Sequence, residues 1–373
     1  MSEQGFSSAG WRGALGGAAR RLKTWTRGLL VQYHPNTLRE RGLWWTAGLL
    51  ALTATVVLFF IGVYWTQEPE QFPVRDAALA MAEHDESKLV PGYITTATLI
   101  QIGETLLNKP GGYLSNDVLP PSSLFGTAQL LDNIPNWEFG VVVQMRDTAR
   151  VLRNDFSRSQ SQSLEDPDLA EAEPRLNFAN DSWLFPPTER QYQQGLAHLR
   201  AYLDRLATPG QHDTQFYTRA DNLNELLAVV EKRLGSLAQR LNASVQELRV
   251  NTDLAGDAEA EQSTRTPGVI MAKTPWLEID DVFYEARGYV WALLHILRAI
   301  ELDFDKVLQK KNAVASLRQV IVLLEQTQVS LSSPVVLNGA PLGWVANYSK
   351  GLVSYISPAN AAIIDLRNLL SQG

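Results

Sequence analysis

The chain has no cysteine, only five histidines, and a single long uncharged apolar run in 373 residues. The first absence removes disulfides, thiolate metal sites and thiol nucleophiles together, which fits an oxidising compartment. His34, His84, His198, His212 and His295 never fall at i, i+4. Zinc needs three or four clustered nitrogen, sulfur or carboxylate ligands, so no metal site is expected. G-x-S-x-G, G-x-x-x-x-G-K-[ST] and the dinucleotide glycine pattern are missing too. The common serine-hydrolase and nucleotide routes therefore lack support, and no cofactor is expected.

Basic charge is scarce outside the first residues. The net charge is −7, yet residues 1–42 carry Arg12, Arg20, Arg21, Lys23, Arg27, Arg39 and Arg41 against Glu3 and Glu40. That arm is +5, which leaves −12 for the remainder. An acidic body does not neutralise phosphates, so nucleic acid is not expected as a partner.

What is present in quantity is apolar surface at helical spacing. "LWWTAGLLALTATVVLFFIGVYW", residues 43–65, is uncharged throughout. At about 1.5 Å per residue it is long enough to cross a hydrocarbon core of roughly 30 Å. Trp44 and Trp45 stand at one end and Tyr64 and Trp65 at the other, where amphipathic rings favour a membrane interface. "TQEPEQFPV" follows instead of a small-residue cleavage site, so the run reads as a retained transmembrane helix and not as a signal peptide. Seven Lys or Arg precede it and only Arg75 occurs in the next 22 residues. The positive-inside rule then predicts a single-pass inner-membrane protein with a cytoplasmic amino terminus and a periplasmic body over 66–373.

The arm has a pattern of its own. Trp11, Leu15, Ala18, Leu22, Trp25 and Leu29 form one helical stripe, with Arg12, Arg20, Arg21, Lys23 and Arg27 placed to meet lipid headgroups of the bilayer. A disordered basic tail is the competing reading, favoured by Gly13, Gly16 and Gly17.

In the body, spacing predicts helices over Tyr93 to Asn108, Trp137 to about Asp155, and Thr188 to Leu206. Leu223, Leu227, Val230, Leu234, Leu237, Leu241, Val245 and Leu248 form a heptad-like seam, expected to pack within the chain. One long bent helix or two more are expected from Pro275 to about Gln328, and a last one from Ser357-Pro358 to Leu370. The stretches 157–174 and 251–268 are poor in large apolar groups and read as polar loops. Strand alternation is scarce. The fold class is all-α: one transmembrane helix and a helical-bundle-like body.

Several strings, "TLLNKPGGYLSNDVLPP" (105–121), "PNWEFG" (135–140), "RNDFSRSQSQS" (153–163), "NDSW" (180–183), "FYTRADNL" (216–223) and "RLGSLAQRL" (233–241), together resemble a known family. This is the proteobacterial membrane-anchored family catalogued as a domain of unknown function. The resemblance runs from the apolar run to near the carboxyl end. It implies a Gram-negative inner membrane and a periplasmic body, and it supplies no reaction, cofactor or catalytic residue.

Two stretches could carry chemistry. In "PWLEIDDVFYEARGYVW", Glu278, Asp281 and Glu285 share a helical face; with Glu138 across a cleft, two carboxylates could act as acid and base on a glycan. Acidic groups in a first helical turn more often face water, stabilised by the helix dipole. In "KPGGYLSND", Tyr113, Asn116 and Asp117 could line a ligand loop, although paired glycines more often mark a helix stop and turn. "EDPDLAE" lacks the alternating ligands and glycine of a calcium loop and reads as solvated. The functional expectation is a structural or interaction module of the cell envelope with a protein or cell-wall partner; the alternative is a membrane-tethered peptidoglycan hydrolase using a carboxylate pair.

Overall fold

The computed structural model describes residue 23 and residues 31–65, 67–116, 133–158, 165–208, 210, 214–245, 247–250, 269–331, 333, 335–340 and 343–372. The chain divides into two compact units, Met1–Tyr64 and Trp65–Gly373.

The first unit holds α1 (Pro35–Arg41) and most of α2 (Leu43–Trp65). His34 caps α1 and Pro35 enters it, while Gly42, at φ 84, breaks the two helices apart. Inside α2, Thr46, Thr53 and Thr55 return their hydroxyls to carbonyls one turn back, which satisfies those three donors on an apolar helix.

The helix that the apolar run predicts is therefore present, but the span is not. Among the described residues no helix is long and apolar enough to cross a membrane. The four rings have different surroundings. Trp44 and Tyr64 are exposed, but Trp45 is half-buried with the Arg41 guanidinium 4.7 Å from its ring centre, and Trp65 packs on the core of the second unit. The indole of Trp65 lies so close to Gly111 that an added Cβ there would stand 2.8 Å from it. The transmembrane helix, the inner-membrane single-pass placement and the periplasmic body inferred from it are corrected accordingly. Of the headgroup residues only Lys23 is described; Arg12, Arg20, Arg21 and Arg27 lie outside the described residues, as does the arm's apolar stripe.

The second unit is almost wholly helical: α3 (Val74–Met81), α4 (Tyr93–Asn108), α5 (Asn133–Val151), α6 (Pro167–Leu176), α7 (Thr188–Ala207), α8 (Ala220–Asn242), α9 (Ile279–Asp303), α10 (Asp305–Lys310), α11 (Val314–Glu325) and α12 (Tyr348–Ser371). Between α8 and α9 lies an antiparallel ribbon of β1 (Glu247–Val250) and β2 (Val269–Ala272), with Glu247 opposite Ala272. The expected seam stops at Asn242; Val245 closes a 3-10 turn and Leu248 belongs to β1. Up to that point the seam packs within the chain, mainly on α12.

At the centre of this unit is α9. Every residue from Ala286 to Leu297 is buried, with α4, α5, α8 and α11 packed around it. Its closest neighbour is α5. A Cβ on Gly140 would meet the Glu285 carbonyl oxygen at 2.1 Å, and one on Gly288 would meet the Trp137 carbonyl oxygen at 1.9 Å. Two glycines thus let the helix backbones touch, and Trp137 and Trp291 then meet at a tilt beside the crossing, ring centres 5.2 Å apart.

Two of the sequence boundaries move. Half of the polar stretch 157–174 is helix, because Asp166 caps α6 through the amides of Asp168 and Leu169, and Leu169, Ala172 and Leu176 bury one face on α7. The last helix starts ten residues before Pro358: Asn347 caps it through Lys350, and Leu352, Ile356 and Ala359 carry one buried stripe across the proline. Pro358 lies on the exposed side, where a lost backbone bond is satisfied by water. The stretch 251–268 lies outside the described residues.

Arg287 and His295, both buried on α9, hold the strap that leads into the unit. Arg287 donates to both oxygens of Glu68 and to the carbonyls of Thr327 and Val329. His295 shows its Nδ1 to the Trp291 carbonyl at 2.7 Å, accepts the Phe72 amide on Nε2 at 3.1 Å, and stacks on the Phe72 ring. This assigns the neutral tautomer protonated on Nδ1. Burial, with Arg298 adding to it and the Trp291 carbonyl opposing, pushes His295 down to about 4.

Gly140→Ala or Gly288→Ala should cost about 3 kcal/mol or more in urea unfolding. Gly351→Ala, in a helix with nothing within 4 Å of the added carbon, should be neutral or stabilising by about 0.5 kcal/mol. For His295 the unfolded chain takes up a proton as pH falls below about 6.5 while the folded chain does not until about 4, so stability is lost across that window. The loss should approach 3 kcal/mol, and His295→Gln should remove that part of the pH slope in unfolding between pH 7 and pH 4.

Candidate functional site

The turn that closes α4 is built on a buried ion pair. Lys109 Nζ is 2.6 Å from Glu138 Oε1, both side chains fully buried, and also donates to the Gly112 carbonyl at 2.5 Å. Glu138 takes three more donors: the amides of Leu114 (2.9 Å) and Ser115 (2.7 Å) and the Ser115 hydroxyl (2.5 Å). Burial pushes the Glu138 carboxyl up, and Lys109, Ser115 and Leu114 pull it back. A carboxylate with that many donors has no lone pair to spare for a substrate. Its role in this geometry is to fold residues 109–115 over α5.

The residues that follow brace a neighbouring loop. Tyr113, buried against Tyr192, donates its hydroxyl to the Asn180 carbonyl at 2.8 Å, and burial pushes that hydroxyl up. Asn116 donates from Nδ2 to the Ser182 carbonyl at 2.9 Å and to Glu189 at 2.8 Å. The loop then ties itself together: Ser182 donates its hydroxyl to the Pro186 carbonyl, and Thr188 donates to the carbonyls of Ala179 and Ser182. Arg146 of α5 holds the approach through the carbonyls of Leu176 and Phe178. At the tip of this frame Trp183, Leu184 and Phe185 are 61%, 50% and 92% exposed. Phe185 has φ 55, a left-handed angle that a bulky side chain rarely adopts. Tyr113 and Asn116 therefore come together as braces beneath an apolar tip, and Asp117 lies outside the described residues.

The four candidate carboxylates do not converge. Glu138 faces the 109–115 turn. Glu285 pairs with Arg240 of α8, and Asp281 accepts from Asn136 at 2.7 Å. Glu278 precedes α9, exposed in the 3-10 turn Trp276–Glu278. Glu138, Asp281 and Glu285 thus each take a different residue as partner, although α5 and α9 touch. In the acidic stretch near α6, Asp166 and Asp168 are both gripped by Arg205, with His198 beside Asp168. Among the described residues no group of three or more His, Asp or Glu could hold a metal ion.

Sequence reasoning did not single out Trp183–Phe185. The signal was available: three large apolar residues in a row between "NDS" and "PP", off any helical stripe.

If the ion pair holds the turn, Lys109→Met should destabilise the fold by about 3–5 kcal/mol, because it strands a buried carboxylate. Adding Glu138→Leu to it should recover much of that loss, as read by urea unfolding of the full chain.

No curated protein and no solved structure matches the chain. A family model described as "Uncharacterized protein conserved in bacteria (DUF2333)" matches residues 38–373. The match covers the whole second unit and both described helices of the first but three residues, and it carries neither the proteobacterial source nor the membrane span that the resemblance implied. The chain belongs to this conserved bacterial family.

Proposed function

We propose that the chain is a structural or interaction module that docks a protein partner through the 179–187 loop. One observation carries the reading: three consecutive large apolar side chains held in water on a frame pinned from two sides. Exposed apolar residues scattered singly are ordinary, but a contiguous set on a rigid mount costs solvation and strain with no return inside the fold. Aromatic anchors held in place before binding lose little entropy when they enter a partner's pocket. The ion pairs of Glu138 and Glu285 and the Asn136 bond of Asp281 add support, since they favour a structural use of those three carboxylates. The cell-wall partner of the sequence reading rested on export and is not carried forward.

A photo-reactive amino acid placed at position 185 of the full chain in its host cells tests this. Discrete adducts are expected at 185, absent from the same label at exposed Lys306, and lost when Trp183→Ser and Leu184→Asp are added. Asn116→Ala, which frees the frame without touching the tip, should weaken them. No adduct at 185, or the same adducts at 306, overturns the proposal.

A further inference from the structure

A second feature of the same unit names the chemistry of a partner. Where the chain enters α9, a cleft of about 130 Å³ opens between the 3-10 turn and residues 335–338. Its walls are Trp276, Leu277, Val335 and Val336, and its polar groups are Asp280 and Asn338. Trp276 is 77% exposed, so one face of its indole is open to an incoming group. Asn338 is tied to the fold, donating to the Ser244 carbonyl and accepting from Asn347. The Asp280 carboxylate is the cleft's negatively charged group.

We propose that this cleft receives a single lysine or arginine side chain of a partner protein, its apolar stem along Leu277 and the valines and its cation between the Trp276 ring and Asp280.

Three features support it. Asp280 is half-buried against apolar walls and meets only the amides of Asp280 and Asp281; no ion pair to it occurs among the described residues. Its neighbours differ: Glu278 lies out in water, and Asp281 is bonded to Asn136. Burial pushes the Asp280 carboxyl up, with no cation acting in the other direction. An aromatic face beside a shielded carboxylate suits a cation on an aliphatic stem, because ring and carboxylate both attract positive charge while the walls take the methylenes. The volume admits one long side chain and no folded segment. The proposal rests on the interaction reading above for the statement that the cation belongs to a protein.

The test uses the full chain carrying 5-fluorotryptophan, with the Trp276 resonance assigned by Trp276→Phe. Capped Gly-Lys-Gly and Gly-Arg-Gly are titrated beside capped Gly-norleucine-Gly, Gly-acetyllysine-Gly and free butylammonium. The cationic peptides should shift the Trp276 resonance to saturation, with the two neutral peptides at least about 10-fold weaker. Asp280→Asn should weaken the cationic peptides by about 10-fold, and Asp280→Glu should retain most of the binding, both with an unchanged unfolding midpoint. Equal binding of norleucine and lysine peptides would make the cleft merely apolar and overturn the proposal. Butylammonium binding as well as the peptides would assign a free amine instead, and no shift with any cation would end the proposal outright. These readings come from Trp276 alone, so they are independent of whether position 185 forms adducts.

Discussion

The contact on which the second unit depends is the backbone crossing of α5 and α9. With Gly140 and Gly288 facing carbonyl oxygens of the opposite helix, no side chain separates the two axes at that point. Everything larger is displaced to the flanks: Trp137 and Trp291 to one another, Glu138 toward the 109–115 turn, Glu285 toward Arg240. A crossing so close leaves no room for adjustment, and helix interiors respond to excess volume by shifting backbone, not by compressing. The direction in which Glu138 points, and hence the position of the turn and the loop it braces, follows from how α5 is seated on α9.

That seating also explains why the acidic candidates resist a catalytic reading. Two carboxylates can divide acid and base roles only when they look across a shared space. Here Glu138, Asp281 and Glu285 stand on touching helices and turn to different basic or amide partners, and Glu278 is exposed before α9 begins. The exposed apolar groups are where the fold departs from its own economy. Trp183, Leu184, Phe185 and Trp276 contribute nothing to the core, yet each sits on a segment fixed by hydrogen bonds or by the start of a helix.

The long periodic helices were legible in the sequence. α4 has the bounds its spacing predicts, α7 ends one residue late, and "GYVWALLHILRAIEL" lies in the buried α9 despite its histidine and arginine. Local signals were misjudged where two rules competed. Ser357-Pro358 looks like a helix start, but the stripe Leu352, Ile356, Ala359, Ile363 was already running, and burial of that stripe outweighed the proline. Asp166-Pro167 is a cap and first-turn proline that the polarity of its surroundings hid. Leu248 fitted the α8 seam by spacing but pairs instead with Met271 in the ribbon. The pairing of Lys109 with Glu138 had no sequence signature at all, since neither spacing nor periodicity links residues on separate helices. Length and lack of charge, finally, said how α2 would fold but not where it would lie.

The strap at residues 68–72 carries a mechanical consequence. Arg287 clasps Glu68 with the same guanidinium that holds the carbonyls of Thr327 and Val329, and His295 takes the Phe72 amide two turns further along α9. The strap is therefore fastened at two points to the most buried helix of the unit, and one of those points is shared with the turn that follows α11, so it cannot lift away without uncovering polar groups at the centre of the fold.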